Sequence, residues 1–251
     1  MQTEIYSALA DIYDEFMSEI PYEKWAGFIK DLLYEHGIRD GLILDLGCGS
    51  GTLTNLLSDM GYDMIGVDGS CEMLNYAKDK QGERDILYLN QDIRKFELYG
   101  TVRAIVSTCD TLNYVTAPEE IKKVFKLVNN YLDPDGLFIF DLHTEYYYRE
   151  ILSDNVFAAT DEDCAYIWEN RYDTDERINE YNVTIFKRMT EDESLYERNE
   201  EIHTERAYSV VDIKQYLNEA GLRLLSVYDG YKSSPLDPFS DRAVFVSKKL
   251  T

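Results

Sequence analysis

Gly47, Gly49 and Gly51 alternate directly after Leu-Ile-Leu-Asp-Leu (42–46) and directly before Thr-Leu-Thr-Asn-Leu-Leu. The apolar run predicts a buried strand and the second run a helix, with a glycine loop between them. Without a Cβ, such a loop lets the backbone approach a bound ligand closely. The helix N-terminus behind it favours negative charge. Asp68 ends the next strand-like run, Ile-Gly-Val-Asp, 19 residues beyond Gly49. That is close to the ~20-residue spacing at which a carboxylate accepts hydrogen bonds from a ribose. The pair points to a nucleoside cofactor.

The details choose among nucleosides. A dinucleotide site uses G-x-G-x-x-G, and here its third position is Thr52, with the glycine at Gly51 instead. The run Asp-Leu-Gly-Cys-Gly-Ser-Gly, with an acid two residues before the first glycine, resembles motif I of the class I S-adenosylmethionine (SAM)-dependent methyltransferases. The resemblance continues in order through Asp68, Asn-Gln-Asp92-Ile93 and Val-Ser-Thr-Cys109-Asp110-Thr-Leu-Asn113-Tyr114. It covers roughly residues 1–142 and 209–251, and it is to bacterial small-molecule enzymes of this family with an inserted antiparallel lid.

It implies a set of cofactor contacts. The backbone of Gly47, Cys48 and Gly49 faces the methionyl part. Asp68, beside Gly69, takes the ribose hydroxyls through charge-assisted bonds; its plainer role is to cap the next helix, and the two roles can overlap. Asp92 meets the adenine amino group and Ile93 packs on the ring; the alternative is an exposed turn aspartate. Met73 is assigned to the adenine, although core packing is the commoner role for such a residue. Tyr6 and Tyr13 lie seven apart on one helix face. Core packing is their default, but Ala-x-x-Tyr13-Asp14 resembles the first helix of small-molecule methyltransferases, where a tyrosine hydroxyl reaches the cofactor. Cys109 closes the set at the end of the fourth strand.

The elements that must position these residues alternate. Helices are expected over 3–19 and from Pro21 to Gly37, then strands at 42–46, 63–67, 86–90, 102–107 and 137–142. Helices near 51–60, 70–79 and 118–131 separate most of the strands, which implies a parallel, doubly wound α/β sheet. Ser209-Val-Val-Asp212 starts a helix like a capping box. Strands at 223–229 and 242–248 complete seven, the last two antiparallel by resemblance. Between the fifth strand and the helix that Ser209 starts, 145–206 carries 18 acids and 7 bases and reads as an antiparallel meander of three strands. Tyr166, Trp168 and Tyr172 share one face, and Ile202 and His203 point opposite ways. The expected organisation is 1–40 helices over the cofactor, 41–142 cofactor core, 143–206 β-rich lid, and 207–251 completing the core.

Composition narrows the partners. The 251 residues carry a net charge of −23. A phosphate backbone or an anionic membrane surface needs clustered Lys and Arg, so neither nucleic acid nor membrane is expected. The excess acid also reads simply as solvated surface. Glu4, Asp11, Asp14 and Glu15 break any N-terminal secretory core, and no apolar run reaches the ~18 residues of a membrane helix. Cys48, Cys71, Cys109 and Cys164 lack metal or disulfide-framework spacing, fitting reduced thiols in a cytoplasm. The oligomeric state is left open.

Methyl transfer from a sulfonium is an in-line displacement in which the protein positions the partners. A base is needed only if the nucleophile arrives protonated. Asp110, Tyr13, His143 and His203 are the catalytic candidates, and Asn113, Tyr114 and Trp168 the acceptor contacts. Turn capping by Asp110 or Asn113, and hydrogen-bonded or surface roles for the histidines, are the plain alternatives. No metal is expected, because Asp141-Leu-His143 has no third ligand placed by spacing. The expected activity is SAM-dependent methylation of a small molecule, an amine among the candidates. An NAD-type oxidoreductase and a non-catalytic SAM-binding regulator remain as alternatives.

Overall fold

The computed structural model describes residues 20–160, 163–189 and 195–250. Tyr6 and Tyr13 lie outside the described residues.

Seven strands form one sheet in the order β10-β11-β5-β4-β1-β2-β3. They are β1 Leu42–Leu46, β2 Asp63–Asp68, β3 Leu87–Asn90, β4 Val102–Ser107, β5 Leu132–His143, β10 Leu222–Asp229 and β11 Arg242–Lys249. β1 to β5 pair in parallel, and β11 pairs antiparallel with both β5 and β10. The central strands read as unbroken apolar runs because both sheet faces are covered. Leu44, Leu46, Ile105, Phe138 and Phe140 bury one face, and Ile43, Met64, Ala104, Val106 and Ile139 the other. The first face packs on α4 (Pro118–Tyr131) and α5 (Val210–Glu219); the second packs on α1 (Tyr22–Glu35), α2 (Thr52–Asp59) and α3 (Cys71–Lys80).

The helices show their sequence logic. Ile121, Val124, Phe125 and Val128 make the buried stripe of α4, which opens with Pro118, Glu119 and Glu120. Ser209 caps α5 by accepting from the Asp212 N–H. β1 lies between β4 and β2, so the strand order reverses there and leaves a crevice at the carboxyl ends.

A second, antiparallel sheet has the order β6-β7-β8-β9: Val156–Thr160, Cys164–Asp173, Ile178–Arg188 and Tyr196–Arg206. It has four strands where the sequence suggested three. Val-Phe-Ala-Ala-Thr is short and lacks polar alternation, and only Phe157 marks its inner face by packing on Trp168. On that face Trp168 is opposite Val183, Tyr181 opposite His203, Val183 opposite Glu201, and Asn179 opposite Glu205. The sheet is fastened to the short helix Thr111–Tyr114 that follows β4. Asn113 Nδ2 donates to the Arg206 carbonyl at 2.8 Å, and Tyr208 donates to the Val115 carbonyl.

Candidate functional site

The glycine loop turns under β2: the N–H groups of Gly47 and Cys48 both donate to the Val67 carbonyl, at 2.7 and 3.0 Å. Gly47, Gly49 and Gly51 all have positive φ, of 81°, 53° and 76°. A Cβ at Gly47 would lie 2.3 Å from Thr111 Cγ2, and one at Gly51 2.5 Å from the Tyr88 hydroxyl. At Gly49 it would meet only the flexible end of Met73, at 3.2 Å. Met73 is thus a buried residue placed directly against the loop. Beneath it, burial pushes the Asp45 carboxyl up to about 7, although Thr54 donates to it at 2.6 Å.

Asp68 at the end of β2 receives the Gly49 N–H on Oδ2 (2.9 Å) and the Ser70 N–H on Oδ1 (2.8 Å). Its expected alternative role, capping α3, belongs instead to Ser70, which accepts from the Met73 N–H. Burial raises the Asp68 pKa, and the N–H bonds oppose that. A carboxylate has about four lone-pair positions, more than these N–H groups fill, so Asp68 can still accept from a ribose hydroxyl. The Gly69 carbonyl accepts from Asn90 Nδ2 at 3.0 Å. Asp92, just beyond β3, is held by Arg94 at 2.6 Å, which lowers its pKa, while Ile93 packs into the core below. The glycine cradle and the pre-oriented Asp68 therefore fit a nucleoside with a ribose diol. Asp68→Ala should weaken SAM binding at least about tenfold without unfolding the chain, since each bond to a charged group is worth roughly 1.5–3 kcal/mol. Calorimetric titration of a folded variant with unchanged affinity would remove Asp68 from the site.

Across the crevice, Cys109 and Asp110 follow β4 with φ of 55° and 53°, a conformation rare outside glycine. Asp110 Oδ1 accepts from Arg242 Nη2 at 2.8 Å and lies 3.2 Å from His143 Nε2. Burial acts to raise the Asp110 pKa, but the facing His143 and Arg242 outweigh it and hold the carboxyl well below its usual range. His143 stacks on Tyr147 with centroids 3.7 Å apart. Asn113 is fully buried: its amide bonds the Arg206 carbonyl and, through Oδ1, the His143 N–H at 3.0 Å. Expected to touch the acceptor, Asn113 has no exposed surface and instead joins β5, β9 and the β4 exit.

Tyr114 leads into a second network. Its hydroxyl lies 2.5 Å from the Tyr181 hydroxyl and 3.2 Å from His203 Nδ1. Tyr181 and Tyr148 donate to the two oxygens of Glu205, at 3.2 and 2.8 Å. Glu201 Oε2 lies 3.3 Å from His203 Nε2. Burial, helped by the charge of Asp110, pushes Glu205 up to about 8. Trp168 lies beside this network, against Tyr181 and Phe157. The structure thus gathers Gly47, Cys48, Gly49, Asp68, Met73, Cys109, Asp110 and His143 around one sheet edge. Tyr114, His203 and Trp168 line the second sheet beside it. The sequence offered no site role for Arg242, Tyr231, Tyr148, Tyr181 or Glu205, and singled out Asp141 only as a metal-ligand candidate beside His143. Among the described residues no group of three or more His, Cys, Asp or Glu could hold a metal ion, and no helix is long and apolar enough to cross a membrane.

A doubly wound sheet with this loop and acid defines a nucleoside-cofactor enzyme of the Rossmann-like class. A family described as "Methyltransferase domain" matches residues 43–136. A Bacillus subtilis (strain 168) protein named "Putative methyltransferase YqeM" is 34% identical over 98% of this chain and 97% of its own length. The crystal structure of an S-adenosylmethionine-dependent methyltransferase from Clostridium acetobutylicum ATCC 824 is 32% identical. It superposes with a TM-score of 0.88 over 98% of this chain and 99% of its own. Streptomyces venezuelae DesVI shares the fold at 20% identity, with a TM-score of 0.78 over 96% of this chain and 98% of its own. The chain belongs to the class I SAM-dependent methyltransferase family. It is an enzyme that uses S-adenosylmethionine, which sets aside the NAD-type and non-catalytic alternatives.

Proposed function

We propose that this methyltransferase acts on a small molecule and that the accepting atom is an amine nitrogen. The observation that carries the reading is the buried acidic and aromatic face of β9 and its neighbours. Glu201, His203 and Glu205 point inward onto Tyr114, Tyr181 and Trp168, beside the carboxyl end of β4. Aromatic rings and the polar groups among them suit an amine-bearing acceptor through cation–π and hydrogen-bond contacts. Trp168 Nε1, Tyr172 Oη and Asn179 Oδ1 on the same sheet face find no hydrogen-bond partner among the described residues. Buried polar groups normally have one, so these atoms suit a polar acceptor. A Streptomyces venezuelae relative is named as an amino-sugar N,N-dimethyltransferase, at 27% identity over 60% of this chain and 62% of its own. That name supports the amine by analogy.

SAM, when bound, supplies an electrophilic methyl group on a sulfonium. The chain's own residues do the rest. Asp68 and the glycine loop fix one partner, and the second sheet, acting as a lid, orients the other and excludes water. An amine is largely protonated at neutral pH and attacks only after losing a proton. The Tyr114 hydroxyl, backed by His203, Tyr181 and Glu205, is the route by which that proton leaves. Release of S-adenosylhomocysteine against a panel of small amines, alcohols and carboxylates tests the reading. Amines should turn over; exclusive use of alcohols or carboxylates would reject the amine, and use of only protein or nucleic acid would reject the small molecule. With an amine in hand, His203→Gln should lower kcat by about 10²–10⁴ while leaving SAM affinity unchanged. A kcat within twofold of the parent would take His203 out of the proton path.

A further inference from the structure

Asp141 is an ionisable side chain near the end of β5 with no solvent exposure, and no step of the reaction above uses it. All its hydrogen-bonding neighbours are donors. Oδ1 accepts the Asp110 N–H at 2.8 Å and lies 2.9 Å from Arg242 Nη1. Oδ2 accepts the Cys109 N–H at 3.2 Å and the Tyr231 hydroxyl at 2.5 Å. Two successive N–H groups of a left-handed turn thus converge on one carboxylate, as in an anion-binding backbone nest. Arg242 closes the arrangement by reaching Asp110 on the turn with Nη2 and lying over the Trp25 ring, 5.3 Å from its centroid. Tyr231 stacks on the same ring at 4.2 Å.

The turn so held is one wall of the cofactor crevice. Thr111, the next residue, sits where a Gly47 side chain would be, and its hydroxyl lies 3.5 Å from the Gly47 carbonyl. Residues of ordinary chirality resist positive φ, so Cys109 and Asp110 stay there only while something holds their N–H groups. We infer that Asp141 is a positioning residue for cofactor binding: with Arg242 and Tyr231 it holds the Cys109–Asp110 turn against the glycine loop. The inference concerns the cofactor side and stands whether or not the acceptor is an amine.

Asparagine at this position keeps the shape but turns one acceptor into a donor, which must then face either the Asp110 N–H and Arg242 or the Cys109 N–H and Tyr231. Asp141→Asn should weaken S-adenosylhomocysteine binding, read by calorimetry, about tenfold or more. Tyr231→Phe removes one donor, keeps the stack on Trp25, and should weaken binding about threefold. Val128→Ala, a core truncation on α4 remote from the crevice, should lower Tm yet leave the affinity unchanged. Asp141→Asn with parental affinity overturns the inference. So does a loss of affinity in Val128→Ala matching that in Asp141→Asn, since it would make the effect one of general stability. If Asp141→Asn does not fold, Tyr231→Phe decides: parental affinity there overturns the inference.

Discussion

Gly47→Ala should reduce SAM affinity on the order of a hundredfold and lower Tm at the same time. Two independent effects act at this position. The residue has φ of 81°, where a side chain costs about 1–3 kcal/mol. The added methyl would also lie 2.3 Å from Thr111 Cγ2, a contact that real structures do not tolerate. Thr111 cannot simply rotate away, because its hydroxyl donates to the Thr108 carbonyl at 2.8 Å and its backbone belongs to the turn that Asp141 holds. Either the glycine loop or the β4 turn must shift, and both line the crevice. Each 1.4 kcal/mol is about tenfold in affinity, so backbone strain and clash together give the expected size. The two effects can be separated. Adding Thr111→Ala leaves only a Cβ at 3.0 Å, so the double variant should regain part of the lost Tm while keeping the strain. Gly49→Ala meets only the pliant end of Met73 and should lose less Tm than Gly47→Ala. Calorimetry and thermal melts check both, and a Gly47→Ala protein with parental SAM affinity would show that the loop does not carry the cofactor.

The geometry of the candidate site around the glycine loop was legible because it is local. A glycine loop, the strand before it and the acid ending the next strand occupy residues 42–68, and short-range patterns describe all three. The alternation placing Tyr166 and Trp168 on one strand face, and His203 opposite to Ile202, was equally local. His203 is buried and Ile202 exposed, as the period-two rule requires. The helix over 118–131 was legible from its proline, its acids and its apolar spacing.

What was not legible depends on strand pairing. Arg242 reads as an ordinary charge at the start of a last strand. Antiparallel register with β5 places it opposite His143, and so within reach of Asp110 and Asp141. Nothing near Arg242 in the chain announces those partners. Glu201 and Glu205 likewise read as two of many acids in an acidic segment; only the pairing of β9 with β8 turns them inward. Asn113 misled in the other direction. A polar residue after a catalytic strand invites a substrate role, yet the long connection returning through Arg206 uses its amide completely.

Glu205→Gln should make the protein more stable at alkaline pH, by an amount that disappears in acid. Burial, with the nearby Asp110 charge, raises this carboxyl from 4.5 to about 8. Tyr148, Tyr181 and Tyr114 face it, and His203 stacks on Tyr181. Between those two values the folded protein holds a proton that the unfolded chain releases, so stability falls as pH rises through that window. Above about pH 8 the folded state must carry a buried, poorly solvated charge that water would stabilise better in the unfolded chain. Glutamine removes that charge and still offers one acceptor and one donor to the tyrosines. The gain at pH 9 is on the order of a few kcal/mol, since each pKa unit is about 1.4 kcal/mol. For a chain of this size each kcal/mol moves Tm by roughly 2–4 °C. Melts of both proteins from pH 5 to 9 should therefore diverge as pH rises. Parallel curves, or a glutamine variant less stable at pH 9, would mean that Glu205 is ionised in the folded state at neutral pH, held there by its tyrosines. The same group bears on turnover. If the acceptor's proton leaves toward Glu205, the parent's kcat rises as pH passes about 8 and the carboxyl ionises, whereas the glutamine variant shows no such step.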